Sequence, residues 1–234
     1  MSIQLQSVIA VVPAAGVGSR MKADRPKQYL KISGTTILEH TVEKLLSHPQ
    51  VSQIVVAISD DDPYYPELAL NQNPQVIRVS GGSERADSVL SALDYIAEQQ
   101  LGDWVMVHDA ARPCVQLGDI DKLISGAMSH DVGAILAAPV RDTMKRGAQG
   151  QIEHTVERAD LWHALTPQMF RAKPLWNALS EALPQGVSIT DEASAFEWKG
   201  LSPALVTGRS DNFKITQPED LALAEFYLSQ NKEE

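Results

Sequence analysis

The feature that most constrains the fold is an alternation of short apolar runs with amphipathic helical segments over residues 1–138. The runs are rich in β-branched residues and, apart from Arg78, apolar, which is typical of strands covered on both faces in a parallel sheet. Strand–helix alternation of this kind predicts a doubly wound α/β fold that binds ligands at the carboxyl ends of its strands. The predicted strands are residues 8–12, 54–58, 76–79, 104–107 and 134–137.

Helices are predicted between and after these strands. Thr36 and Glu39 have the spacing of a capping box, followed by apolar residues on one helical face. A second helix is expected from about Glu84 to Gln99 on the same periodicity. Near the end of the chain we expect a short helix capped by Thr190 and reaching Trp198, a strand over residues 205–207, and a final helix opened by Thr216, Pro218 and Glu219.

Residues 139–160 have a different pattern. From Val140 to about Arg158, apolar and polar residues alternate around the segment Gly147–Gly150, which predicts a long β-hairpin. A two-stranded hairpin is marginal by itself and needs a surface to pack on. We interpret it as an arm that packs on a second subunit; a hairpin folded onto the edge of its own sheet is the alternative. The chain, residues 1–234, is then one domain with an inserted arm.

Composition argues against several classes of protein. The net charge is −10, whereas nucleic-acid binders need a basic face to displace counterions from phosphates. No run approaches the ~20 apolar residues of a membrane span, and the first apolar stretch lacks the basic flank of a signal peptide. One cysteine, Cys114, excludes an internal disulfide and suits a reducing compartment. We therefore expect a cytoplasmic protein with no nucleic-acid or membrane partner, although a small anion could still bind a local basic pocket.

The loop after the first predicted strand carries two glycines, Gly16 and Gly18. Glycines in this position let backbone N–H groups approach a phosphate. A dinucleotide fingerprint would need a small residue in place of Met21, and a Walker A loop would need a Gly-Lys-Ser/Thr sequence that is absent. A group of cations indicates a triphosphate clamp, with a solvated basic loop as the alternative. These cations are Arg20, Lys22, Arg25, Lys27 and Lys31.

Asp109 follows the predicted strand at residues 104–107, where an open sheet places its ligands. Mg²⁺ prefers carboxylate and phosphate oxygens and is usually held by one or two protein carboxylates. Asp109 is therefore predicted to bind magnesium together with nucleotide phosphates; a helix cap or a partner of Arg112 is the alternative. The neighbouring His108 is expected to be a packed, hydrogen-bonding histidine rather than a metal ligand.

Two further segments follow predicted strands. The segment from Gly81 to Ser88 opens a helix, and its glycines expose backbone groups suited to contacting a base edge. A tight turn with a helix cap explains it equally well. Lys214, near the C-terminus, is a candidate second cation at the reacting phosphate, or else a surface lysine.

Together these segments resemble the 2-C-methyl-D-erythritol 4-phosphate cytidylyltransferase family. The resemblance covers essentially the whole chain, and the order in which the motifs occur makes it specific. Ser83 is a departure, because relatives can carry aspartate at that position. The motifs are Ala14-Ala15-Gly16-x-Gly18-x-Arg20-Met21, Pro26-Lys27-Gln28-Tyr29, Gly82-x-Glu84-Arg85-x-Asp87-Ser88, His108-Asp109-Ala110-Ala111-Arg112-Pro113, Arg141-Asp142-Thr143-Met144-Lys145, Leu165-Thr166-Pro167-Gln168, Thr190-Asp191-Glu192-Ala193-Ser194 and Asp211-Asn212-x-Lys214.

The resemblance implies a Rossmann-like nucleotidyltransferase that moves CMP from CTP to a small polyol phosphate. It also implies a magnesium cofactor, bound by Asp109, and a homodimer joined through the hairpin arms. Two rivals stay open: the same scaffold acting on another polyol phosphate, such as ribitol 5-phosphate, and a non-catalytic CTP-binding module.

Residue roles follow from the resemblance in three groups. The catalytic group is Arg20, Lys27 and Lys214. The nucleotide-binding group is Pro13, Ala14, Ala15, Gly16, Gly18, Gly82, Ser83, Ser88 and Asp109. The acceptor-binding group is Arg112, Thr143, Arg158, Thr166 and Asp211, with Thr143 and Arg158 expected to reach the neighbouring subunit's site.

Overall fold

A computed structural model describes residues 6–16 and 24–230 of the chain. Its strands are β1 (Val8–Pro13), β2 (Lys31–Ile32), β3 (Thr35–Thr36), β4 (Val51–Ile58), β5 (Val76–Ser80), β6 (Trp104–Val107), β7 (Gly133–Pro139), β8 (Met144–Ala148), β9 (Gln151–Val156), β10 (Trp162–Arg171) and β11 (Ala204–Thr207). Its α-helices are α1 (Ile37–Leu46), α2 (Arg85–Glu98), α3 (Leu117–Met128), α4 (Ala172–Ala182), α5 (Glu192–Trp198) and α6 (Glu219–Gln230). Within the described ranges, no helix is long and apolar enough to cross a membrane.

The main sheet of the described part has seven strands in the order β11-β7-β10-β6-β1-β4-β5. The pairs β1–β4, β4–β5, β1–β6 and β7–β11 are parallel, and β10 runs antiparallel to both of its neighbours. From β1 the chain builds the sheet to one side through β4 and β5, and then returns to place β6 on the other side of β1. The carboxyl ends of β1 and β6 therefore flank a topological switch point, where open α/β sheets bind ligands.

The central strands are buried because helices cover both faces of the sheet. Along β1, Ala10 and Val12 belong to the core beneath α1 and α3, while Ile9 and Val11 belong to the core beneath α2 and α4. All four side chains are fully buried, and each valine or isoleucine contributes roughly 1.5–3 kcal/mol through removal from water. This two-sided burial explains the uninterrupted apolar runs, and the predicted doubly wound, mostly parallel fold is confirmed.

The predicted helix starts are largely confirmed. Thr36 and Glu39 form a capping box at α1, and Glu84 is the N-cap residue of α2. The prediction for α5 was wrong by one residue, because Asp191 rather than Thr190 is its cap. The Asp191 carboxylate accepts from the Ser194 amide at 3.0 Å, and a carboxylate at this position also favours the positive end of the helix dipole.

Five of the labelled elements were not predicted, namely β2, β3, α3, α4 and β10. Strand β10 lies between β6 and β7 in the middle of the sheet. Its sequence contains Pro167 between two polar residues, Thr166 and Gln168, and its pairing with β7 is irregular between Ala164 and Gln168. A proline lacks the N–H needed for strand pairing, so this segment does not have the apolar pattern of a central strand.

The hairpin of residues 139–160 forms a two-stranded ladder of its own, β8 with β9. Its turn consists of Gln149 and Gly150, both with positive φ, which is the backbone that tight two-residue hairpin turns require. The side chains of β8 and β9 are exposed apart from Val156, which is half-buried. The hairpin therefore extends away from the core of the single chain, and its role as a dimerisation arm stays a prediction.

Candidate active site

A cavity of about 240 Å³ lies at the switch point, bounded by the segments that follow β1, β5 and β6. It brings together residues from the start, the middle and the end of the chain. Ten of the residues predicted to bind nucleotide or act in catalysis line it: Pro13, Ala14, Ala15, Gly16, Lys27, Gly82, Ser83, Ser88, Asp109 and Lys214. Gly18 and Arg20 lie outside the described residues.

The loop after β1 is held by Gln28, a buried residue that sequence reasoning did not single out. Its side-chain amide donates to the carbonyl oxygens of Ala14 at 2.8 Å and Gly16 at 3.1 Å. This bridge fixes the path of the chain as it enters the cavity wall. The hints in the sequence are that Gln28 directly follows the predicted phosphate-binding Lys27 and belongs to the same motif of the resemblance.

The segment after β5 approaches its neighbours too closely for side chains. A Cβ atom on Gly81 would lie 2.4 Å from the Cβ atom of Ala15, and one on Gly82 would lie 2.2 Å from the Cβ atom of Asp87. The amide of Gly82 donates to the hydroxyl of Ser88 at 3.1 Å. The two glycines therefore let this backbone run against the β1 loop and form one wall of the cavity.

Asp109 is the centre of a charged cluster. Its Oδ1 accepts from Arg85 Nε at 2.9 Å, and its Oδ2 contacts Lys214 Nζ at 2.9 Å and Arg112 Nε at 3.4 Å. Burial would raise the pKa of Asp109, but the charges of Arg85, Lys214 and Arg112 together hold that pKa well below its usual range. Asp109 is therefore a buried, ionised carboxylate that holds three cationic side chains.

Arg85 extends this cluster to α5. Its guanidinium forms a two-point ion pair with the carboxylate of Glu192, with NH1 2.6 Å from Oε1 and NH2 3.1 Å from Oε2. Burial would lower the pKa of Arg85, but Glu192 and then Asp109 raise it above its ordinary value. Neither Arg85 nor Glu192 had a predicted role, although both lie within motifs that the chain shares with the family it resembles.

Behind Asp109, His108 is fully buried and hydrogen-bonded, as predicted. Its Nε2 faces the carbonyl oxygen of Arg112 at 3.0 Å, so this nitrogen is the donor and carries the proton. Its Nδ1 then accepts from the hydroxyl of Thr166 at 3.0 Å, and that hydroxyl accepts from the Asp109 amide at 3.1 Å. Burial lowers the pKa of His108 to about 4, so the imidazole is a neutral support beneath the Asp109 backbone.

A second cavity, of about 250 Å³, adjoins the first and shares Arg85, Asp109 and Lys214 with it. Two predicted acceptor-binding residues line it, Arg112 and Thr166. Lys214 therefore stands between two neighbouring cavities with its ammonium group bound to Asp109. This is the arrangement expected where two substrates meet at one cation.

Three other predicted acceptor-binding residues lie elsewhere in the single chain. Asp211 accepts three hydrogen bonds from Arg209 and lines a separate cavity beside α6, so its pairing with Arg209 turns it away from the predicted position. Thr143 is exposed in the hairpin, and Arg158 donates to the carbonyl oxygen of Arg141 at the base of the same hairpin. The structure does not bring these residues to either shared cavity.

Asn212 and Gln168 lie within motifs that carry the resemblance, but neither had a predicted role. Asn212 is fully buried; its carbonyl oxygen accepts from Arg112 NH1 at 2.7 Å and its amide donates to the Thr166 carbonyl at 2.7 Å. Gln168 accepts from the Ala193 amide at 3.0 Å. Both join β10 to the walls of the second cavity, a contact that could not be foreseen while β10 itself was not recognised.

A doubly wound sheet with two joined, cation-bearing cavities at its switch point defines the class of this chain, an α/β nucleotidyltransferase. The model of one family, 2-C-methyl-D-erythritol 4-phosphate cytidylyltransferase, matches residues 8–230. The chain belongs to this family.

Individual relatives agree with the family match. The chain is 95% identical over 233 residues to a 2-C-methyl-D-erythritol 4-phosphate cytidylyltransferase of Vibrio atlanticus, covering 100% of both chains. It is 68% identical to that of Vibrio vulnificus, covering 100% of this chain and 99% of the relative. Among solved structures, a 4-diphosphocytidyl-2C-methyl-D-erythritol synthase superposes with a TM-score of 0.84 at 39% identity, covering 95% of this chain and 98% of the other.

Proposed function

We propose that this protein transfers a cytidylyl group from CTP to 2-C-methyl-D-erythritol 4-phosphate and releases pyrophosphate. The observation that carries the proposal is the position of Lys214, held by Asp109 at the boundary of two cavities. The cavity whose walls contain glycines suits the nucleotide, and the cavity lined by Arg112 and Thr166 suits the acceptor. The choice of base and acceptor comes from family membership.

In the proposed reaction, a phosphate oxygen of the acceptor attacks the α-phosphorus of CTP. A new P–O bond forms as the bond to the bridging oxygen of the β-phosphate breaks, and pyrophosphate leaves with the electron pair. The acceptor's phosphate is already ionised, so no general base is needed. The barrier comes from repulsion between anions, which amounts to roughly 4 kcal/mol for two unit charges 4 Å apart at an effective dielectric of 20.

The cationic side chains of the site offset that repulsion. Lys214 faces both cavities, and Lys27 lines the nucleotide cavity. Both would stabilise the charge that develops on the α-phosphate oxygens, while Arg20 would hold the triphosphate. Because Lys214 is held by Asp109 and Lys27 by the Ile215 carbonyl before the substrates arrive, positioning and electrostatics supply most of the catalysis.

We further propose that magnesium enters with the nucleotide and that Asp109 is its protein ligand. No cluster of three or more metal-binding side chains occurs in the described residues, and Asp109 is the acidic side chain that lines both cavities. That donor set fits an ion whose remaining ligands are phosphates and waters. Magnesium would supply neutralisation of phosphate charge. Asp109→Asn is then expected to weaken the dependence of the rate on magnesium, and an unchanged magnesium titration would contradict this role.

The function is tested by measuring pyrophosphate release from CTP with magnesium and one acceptor at a time. Turnover with 2-C-methyl-D-erythritol 4-phosphate is expected to exceed turnover with ribitol 5-phosphate. A reversed preference would indicate another polyol phosphate as the acceptor. Tight CTP binding without turnover of either would indicate a non-catalytic module.

The active form is proposed to be a cytoplasmic homodimer joined through the hairpin arms. In support, the exposed hairpin carries Ile152 and Met144, two exposed large apolar side chains. It also carries Thr143 and Arg158, which would reach the partner's acceptor cavity. A hairpin without a packing surface is marginal, so a partner would supply what the single chain does not.

A further inference from the structure

Glu192 is a buried carboxylate for which the reaction as described has no use. It is 1% exposed and lies in the first turn of α5. Its two oxygens bind the two terminal nitrogens of Arg85, a geometry that fixes both distance and plane. A buried carboxylate is costly unless its partner is placed well, so this pair is a feature that the fold maintains rather than an incidental surface contact.

The position of Glu192 is itself fixed from behind by β10. Gln168 donates from its side-chain amide to Asp191 at 2.8 Å and accepts from the Ala193 amide at 3.0 Å. Gln168 is 1% exposed. The residues on both sides of Glu192 are thus tied to a strand in the middle of the sheet, which leaves the Glu192 carboxylate little freedom to move.

Arg85 transmits this constraint to the active site. While its terminal nitrogens bind Glu192, its Nε donates to Asp109 Oδ1 at 2.9 Å. The guanidinium is planar and rigid, so the plane set by Glu192 also sets the direction from which Asp109 is held. The other oxygen of Asp109 then binds Lys214 Nζ at 2.9 Å. Four side chains form a continuous series, Glu192–Arg85–Asp109–Lys214, that ends at the boundary of the two cavities.

The charges of these four side chains indicate what the active site would lose without Glu192. Without it, Arg85 would keep its charge but lose two hydrogen bonds, and it would be free to compete with Lys214 for Asp109 or to turn towards bound phosphates. Phosphates would still be attracted in the ground state. The ammonium group of Lys214 would no longer have one fixed position in the transition state.

We propose that Glu192 is a positioning residue for the transfer reaction, acting through Arg85 and Asp109 to fix the ammonium group of Lys214. The inference rests on the proposed function. It assigns Glu192 no contact with substrate. The effect of Glu192 on the rate must therefore depend on Lys214. This dependence distinguishes Glu192 from a residue that only stabilises the fold.

The test is a double-mutant cycle of Glu192→Gln and Lys214→Ala, with kcat and KM measured by pyrophosphate release and folding checked by thermal denaturation. In the unchanged background, Glu192→Gln is expected to lower kcat about 10-fold or more without raising KM for CTP, because the cation of Arg85 remains. In the Lys214→Ala background, the same change should lower kcat less than about threefold, since its target is gone. Glu197→Gln, an exposed glutamate on the same helix, is the matched control and should change neither quantity.

Equal losses in both backgrounds would overturn the proposal, because they would show that Glu192 acts independently of Lys214. An unchanged kcat in Glu192→Gln, or an equal loss in Glu197→Gln, would also overturn it. If Glu192→Gln does not fold, Arg85→Lys replaces it in the cycle, since lysine keeps the charge but cannot bridge two carboxylates in one plane. Absence of turnover by the unchanged protein would overturn the proposed function and this inference together, whereas additivity with normal turnover would overturn the inference alone.

Discussion

Lys27 donates from Nζ to the carbonyl oxygen of Ile215 at 2.9 Å, although 188 residues separate them in the chain. Ile215 directly follows Lys214, so this contact joins the segment after the first loop to the segment that carries the second active-site lysine. Both lysines line the nucleotide cavity. The contact explains how two distant parts of the chain can place cations at one phosphate.

Replacement of Lys27 by alanine is therefore expected to lower kcat/KM by a factor of ~10² or more, comparable to the loss of one transition-state donor. The measurement is steady-state pyrophosphate release, with circular dichroism to confirm folding. Lys31→Ala is the matched control and should lose little, because Lys31, although included in the predicted clamp, is exposed and does not line the nucleotide cavity. A loss under threefold in a folded Lys27→Ala protein would remove Lys27 from the catalytic group.

Much of the fold could be predicted because its central strands have a simple pattern. Residues of β1 and β6 and residues 54–58 of β4 are buried on both faces, so these stretches are apolar throughout. Strand β10 is equally central but contains Pro167 and polar residues that serve the site. Its sequence reflects its role in the cavity wall more than its place in the sheet, and local pattern alone could not identify it.

As with the fold, only part of the candidate site could be predicted from the sequence. Asp109 and the glycine segments follow strands, and the carboxyl ends of neighbouring parallel strands meet at one edge. The contact between Arg85 and Glu192 spans 107 residues and depends on how α2 and α5 pack. Such tertiary pairings leave no periodic trace in a sequence, which explains why these two residues were missed.

The burial of His108 predicts a pH dependence of stability. Its folded pKa of about 4 lies below the value of about 6.5 expected in the unfolded chain. The unfolded state therefore binds an extra proton between these pH values, so His108 contributes stability that is complete above pH ~6.5 and is lost as pH falls towards ~4. The change amounts to about 3 kcal/mol at 1.36 kcal/mol per pKa unit.

Urea denaturation of the natural chain and of His108→Gln checks this expectation, because all other titrating groups are common to both proteins. The difference between their unfolding free energies should shrink by about 3 kcal/mol as pH falls from 7 to 4. A difference that stays constant over that range would show that His108 is not held neutral by burial.

Gly82 is a position where the addition of one methyl group is expected to lower both stability and affinity for CTP. A Cβ atom there would lie 2.2 Å from Asp87 Cβ, so Gly82→Ala must displace the wall of the nucleotide cavity. We expect a loss of stability of roughly 1–3 kcal/mol from overpacking and a raised KM for CTP. In Gly118→Ala, by contrast, the new Cβ atom meets nothing within 4 Å, and an alanine in α3 should be neutral or stabilising by about 0.5–1 kcal/mol. Equal behaviour of the two variants in thermal melts and kinetics would refute the steric explanation.

If the hairpin is the dimerisation arm, formation of the dimer and activity towards the acceptor should be linked. Ile152 is 67% exposed in the single chain and is expected to be buried in a homodimer. Burial of one isoleucine contributes roughly 1.5–3 kcal/mol, and a twofold interface contains it twice. Ile152→Asn should then raise the dimer Kd by about 100-fold or more, as measured by sedimentation equilibrium at micromolar concentrations.

Activity should follow this change in assembly. Below the new Kd, Thr143 and Arg158 would be withdrawn from the partner's site, so kcat/KM for the acceptor should fall while CTP binding persists. Glu153→Asn is the matched control, because adjacent residues of a strand point to opposite faces, and it should leave both assembly and activity unchanged. A natural chain that sediments as a monomer while fully active would show that the arm has no role in dimerisation and that the acceptor cavity is complete within one subunit.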